Sequence, residues 1–158
     1  MLNQSKILAT AVALLFAGGA SANTLLVTQG GASGNAGLVA LDFQSNGDVS
    51  AFQFTVDLPK GIASIDTSKC LSELPKGFTG VCRSKGNRVA AVVYSGNTTT
   101  FPSDVVSLGT ISYNGSIAKD AGGIVVGNMV ASTPSGAESP GMKSDVSFDD
   151  GARGTHEK

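Results

Sequence analysis

The chain has 158 residues, a net charge of −1 and only 15% charged residues, with 21 glycines and no tryptophan. That length fits one domain with a real core, and the balanced charge offers no basic field to gather nucleic-acid phosphates. Low charge with abundant glycine is the mix found in exported β-proteins with many tight turns.

The first element is a leader. Lys6 precedes an apolar run from Ile7 to Phe16, and small residues then end in Ala20-Ser21-Ala22, an A-x-A cleavage site. The run is about ten residues, against the roughly 20 that a bilayer core needs, so it reads as a signal peptide and not as an anchor. Residues 1–22 are therefore expected to be removed, leaving a secreted or periplasmic chain that begins at Asn23. Asn23 is not a cysteine, so no lipoprotein anchor is implied. No second apolar stretch follows, so no membrane span is expected after cleavage.

Strand signals then follow one another. Thr24 to Thr28 is short and apolar, and Gly30 to Gly37 is a glycine-rich loop. Leu38 to Phe43 alternates, and Asn46-Gly47 marks a tight turn. The cleanest strand comes next: Phe52, Phe54, Val56 and Leu58 point one way, while Ala51, Gln53, Thr55 and Asp57 point the other. Pro59-Lys60-Gly61 ends it, and Ile62 to Ile65 predicts a brief strand. Asp66 to Lys76 is irregular.

Phe78 to Cys82 predicts a strand. Arg88 to Tyr94 (Arg-Val-Ala-Ala-Val-Val-Tyr) is β-branched and apolar and predicts a central, buried strand. Ser95 to Ser103 is a polar loop. Val105 to Tyr113 is a further strand, with Gly109 marking a bulge, and Asn114-Gly115 turns it. Ile124 to Ala131 is the last long strand, after a loop at Asp120 to Gly123. Ser132 to Gly141 is rich in Pro, Ser and Gly. Residues 132–158 read as a polar tail with a short edge strand near 146–148, fraying from Gly151.

Short strands, turn signals and the lack of any helical period predict an all-β chain, an antiparallel β-sandwich of jelly-roll type. Its domain is expected over residues 23–131, with Phe43, Phe52, Phe54, Val56, Val92 and Ile111 in the core.

Cys70 and Cys82 are the only cysteines. Outside the cytoplasm they are expected to form one disulfide, and their spacing, with no nearby histidine, matches no zinc pattern. The single histidine, His156, lies in the tail, where it cannot serve a triad or a metal. The carboxylates are scattered and select no pair for glycoside hydrolysis. Gly31, Gly34 and Gly37 miss the G-x-G-x-x-G spacing of a phosphate loop. Asp145, Ser147 and Asp149 have calcium-loop offsets, but Asp150 stands where glycine is needed and His156 where glutamate is. The expectation is a non-enzyme with no cofactor and no metal.

Gly37 to Ile62 (Gly-Leu-Val-Ala-Leu-Asp-Phe through Phe-Gln-Phe-Thr-Val-Asp-Leu-Pro) resembles the opening of cohesin domains. Arg88 to Tyr113, a hydrophobic strand, a Ser/Gly/Asn/Thr loop and Val-Val-Ser-Leu-Gly-Thr-Ile-Ser-Tyr, is similar to a later stretch of that family. The likeness spans most of Thr24 to Ala131. It implies a jelly-roll sandwich, a fold that cohesins share with a superfamily of carbohydrate-binding modules.

The resemblance therefore implies a non-catalytic binding module with an unknown partner, a protein first and a polysaccharide as the alternative. A subunit of a surface assembly is a third reading. The expected binding face is Gln53, Thr55 and Asp57, although antiparallel sheets commonly leave such a face simply in water. With no tryptophan and two tyrosines, a flat aromatic sugar platform is not expected.

Overall fold

The computed structural model describes residues 23–30, 36–115 and 123–149. The expected leader, most of the expected glycine-rich loop, residues 116–122 and residues 150–158, His156 included, lie outside the described residues.

Nine strands form among the described residues: β1 (Thr24–Gly30), β2 (Ala36–Gln44), β3 (Ala51–Asp57), β4 (Ile62–Asp66), β5 (Phe78–Lys85), β6 (Arg88–Ser95), β7 (Val105–Gly115), β8 (Val125–Ser132) and β9 (Lys143–Asp149). They make two sheets. One has the order β4-β7-β2-β1-β9, the other β5-β6-β3-β8. All pairings are antiparallel except β1 with β9, which run parallel from Thr24 opposite Lys143 to Gly30 opposite Asp149. The expected all-β sandwich is the structure.

Period-2 patterning builds the core between the sheets. β1 buries Leu25 and Val27, β2 buries Val39, Leu41 and Phe43, and β3 buries Phe52, Phe54 and Val56. Phe43 stacks on Phe52 at 4.3 Å between ring centroids and meets Phe101 edge-on at 5.2 Å. Each such buried ring contributes on the order of 1.5–3 kcal/mol.

Phe101 sits in the loop expected to be polar, yet it is fully buried. Its N–H donates to the Val49 carbonyl at 2.8 Å, which folds that loop back over the end of the sandwich.

Two other expectations need adjustment. β6 is not buried on both faces: Val89, Ala91 and Val93 point into the core, but Val92, expected there, is 47% exposed. Nothing among the described residues packs on the outer face of its sheet, so an apolar sequence does not make this strand doubly covered. The strand expected near 146–148 is longer, and β9 carries the sandwich past Ala131. The Asp145-Ser147-Asp149 offsets fall on an extended strand, not on a loop.

The bulge is where Gly109 predicted it. The β2–β7 register shifts at Leu41/Asp42, and Gly109 has φ +148°. A Cβ at Gly109 would collide with the Lys69 and Cys70 carbonyls, so glycine is what lets the 67–74 loop lie on β7. Two bonds fix that loop there, Thr110 N–H to Lys69 O at 2.8 Å and Glu73 N–H to Leu108 O at 3.0 Å. Cys70 in the loop is bonded to Cys82 on β5, with Cα atoms 6.3 Å apart. The expected disulfide thus ties one sheet to the other.

Asn23 starts the described fold and is fully buried. Its side chain donates to Ser139 Oγ and accepts from the Asn46 N–H, both at 2.9 Å, and its carbonyl accepts from Lys143 N–H at 2.8 Å. One residue therefore pins the β2–β3 turn and the entry to β9.

Candidate functional site: the outer face of the four-stranded sheet

Strand register places the expected face in a wider surface. Val81 pairs with Val92, Val92 with Gln53, and Gln53 with Val130, so one outward row crosses all four strands. The next row runs Thr79, Tyr94, Ala51, Ser132. On the other side lies Arg83, Ala90, Thr55, Gly127, and then Lys85, Arg88, Asp57, Val125. Gln53, Thr55 and Asp57, with Ala51, thus form one of the two inner columns of a four-by-four array.

The array is not the polar surface that β3 alone suggested. Val81 is 46% exposed, Val92 47%, Tyr94 43% and Val130 43%. Sequence reasoning missed these four because each belongs to a strand judged by its own pattern. The signal was the run of three valines and a tyrosine in Arg88 to Tyr94, which a one-sided sheet cannot bury.

The three expected residues differ in availability. Asp57 accepts from Arg88 Nε at 2.6 Å and from its NH2 group at 2.9 Å. Those hydrogen bonds, aided by the guanidinium charge, hold the Asp57 carboxyl below the usual carboxylate range. The same contact pushes the Arg88 guanidinium up. Thr55 Oγ1 accepts from Asn128 Nδ2 at 3.2 Å, and Asn128 sits at φ +51° on the β8 irregularity. Among the described residues Gln53 alone of the three makes no side-chain hydrogen bond.

A depression of about 120 Å³ on this face is lined by Ala51, Phe52, Gln53, Val92, Val130 and Ser132. That is well below the ~300 Å³ and more of small-ligand pockets, so the face suits a flat contact. A larger recess of about 420 Å³ lies elsewhere, lined by Gly37, Ser64, Ile65, Asp66, Ser112, Tyr113 and Asn114. Among the described residues Asp66 is its one carboxylate. The Ser68 N–H donates to it at 2.9 Å and keeps it in the charged form, which leaves no paired acid and base there. Among the described residues no three His, Cys, Asp or Glu side chains converge as metal ligands.

Neither a protein-family model nor any curated protein matches the sequence. Solved structures do match. A non-cellulosomal cohesin from the archaeon Archaeoglobus fulgidus superposes with a TM-score of 0.59 at 11% identity, covering 87% of this chain and 99% of its own. A type II cohesin from Bacteroides cellulosolvens gives 0.54 at 9% identity, over 80% of this chain and 99% of its own. A cohesin from Acetivibrio cellulolyticus, solved in complex with a dockerin, gives 0.55 at 18% identity, over 80% of this chain and 97% of its own. At these identities the likeness is one of fold, and the fold is cohesin-like.

Proposed function

From a cohesin-like sandwich as premise, we propose that this chain is an exported, non-catalytic module that docks a protein partner on the outer face of β5-β6-β3-β8. The observation that carries this reading is the row Val81, Val92, Gln53, Val130. Three half-exposed valines in register, with Tyr94 beside them, form a contiguous apolar patch of the kind that marks an interaction surface. Gln53 supplies a polar group at its centre, and the Asp57–Arg88 pair lies at one rim. Such an apolar centre with a polar rim is the anatomy of a protein interface. One of the superposing cohesins was solved with a protein, a dockerin, bound to it.

Export is supported by the leader-like residues 1–22 and by the Cys70–Cys82 disulfide, which suits an oxidising compartment. Among the described residues no helix is long and apolar enough to cross a membrane. A polysaccharide partner gains no support from this face, whose centre is aliphatic and shallow and holds one aromatic ring, Tyr94.

The test is a double variant, Val92→Lys with Val130→Lys. Both sites are half solvent-exposed, so thermal stability is expected to change by no more than about 1 kcal/mol. Capture of a protein partner from the source organism's secreted proteins should fall at least about tenfold, since two central apolar contacts become charged. A glycan array probed with the same purified chain should be silent. Glycan binding by the purified chain, with no protein retained, would overturn the reading.

A further inference from the structure

The β9 edge differs from the other three sheet edges. β4 is five residues long with a register shift at Ile62/Ser64, and β8 is broken by the irregularity at Asn128. β5 is partly covered by Leu71 and Leu74, which lie against Gly80, and carries Arg83 and Lys85. These are the devices by which edges avoid pairing. β9 has no bulge and no covering segment among the described residues, and its charges, Lys143, Asp145 and position 149, are of both signs. It is seven residues in unbroken register with β1, without proline, and among the described residues nothing pairs with its other side.

Its apolar side chains are also uncovered. Val146 pairs with inward-pointing Val27, so it lies on the core side of the sheet, and Phe148 shares that side. Val146 is 41% and Phe148 61% exposed, and neither packs against the core.

We propose that β9 is a self-association edge: two copies pair their β9 strands antiparallel about a two-fold axis at Val146, joining two five-stranded sheets into one of ten. The charges on β9 select that register. An axis at Asp145 would set Asp145 against itself, and an axis at Ser147 would set Asp145 against position 149, also aspartate. The axis at Val146 sets Lys143 against position 149 twice, opposite charges both times, with Val146 against Val146 and Asp145 against Ser147. It also gathers Val146 and Phe148 of both copies into one apolar strip. A strand edge with four such side chains falls below the ~1,200 Å² of a standard stable interface, so the dimer is weak and concentration-dependent.

The test uses the full chain recovered after export. Light scattering from about 5 to 500 µM should show the mass rising from monomer toward dimer. Val146→Lys should hold it at monomer with an unchanged melting temperature. In the proposed register residues 146 lie about 4.5–5.5 Å apart between Cα atoms, within disulfide range. Val146→Cys should therefore link two chains under mild oxidation, at least about tenfold faster than Ser144→Cys, which faces position 148. A wild-type chain that stays monomeric across the whole range, or equal linking at 144 and 146, would overturn the proposal. Because Val92 and Val130 lie on the other sheet, this outcome is independent of partner docking there.

Discussion

Gln53, Thr55 and Asp57 alternate outward in the sequence and do so in the structure, but their neighbours decide what each can do. Asp57 is committed to Arg88, Thr55 to Asn128, and Gln53 alone is unengaged among the described residues. The Asp57 pair has a testable pH signature. Its carboxyl titrates below the usual range when folded, so the pair stabilises the fold above about pH 4 and that contribution fades as pH falls through the lowered value. Asp57→Asn should lower the melting temperature at pH 6 by no more than about 4 °C, the pair being largely solvent-screened. The gap between variant and wild type should close as pH drops below about 4 and shrink in high salt. A gap that widens in acid would contradict the assignment.

At the scale of elements, alternation in β3, the N-G turn at Asn46-Gly47 and the bulge at Gly109 were legible because each is set by local backbone chemistry. Gly47 has φ +97°, as such a turn requires. The outward exposure of Val92 was not legible. The valine run of β6 signals apolar groups on both faces, but whether a second sheet face is buried depends on what covers it, which the strand itself does not encode. Phe101 escaped for the converse reason: a lone aromatic in a polar loop has no period, and only tertiary folding carries it to the phenylalanine cluster. β9 was half legible, since Val146 and Phe148 alternate, but its pairing with β1 joins opposite ends of the chain.

The disulfide was legible from two cysteines and an expected compartment, and its role as a staple between the sheets was not. Cys70 and Cys82 are 12 residues apart, a loop whose closure contributes about 3 kcal/mol in the chain-entropy account. Replacing both by alanine should cost roughly that in denaturant melts, yet leave partner capture intact once folded, because neither cysteine lies on the outer array. Lost capture in a variant still folded would instead mean that the 67–74 loop belongs to the docking surface.

For the whole molecule, the two sheets present different outsides. The four-stranded sheet shows an apolar row flanked by Arg83, Lys85 and the Asp57–Arg88 pair. The five-stranded sheet shows a small and polar outer row of Thr110, Ala40, Thr28 and Ser147. The resemblance read from Gly37 to Ile62 and from Arg88 to Tyr113 foretold the fold, and the superposed cohesins share it. The partner has to be argued from the surface itself. The most direct measurement places a photo-crosslinking benzoylphenylalanine at position 92 and, in a second chain, at position 40 on the opposite sheet. Each chain is then irradiated with the organism's secreted proteins. The account predicts a protein adduct from position 92 that Val130→Lys abolishes, and none from position 40. Equal adducts from both positions, or an adduct from position 40 alone, would contradict it.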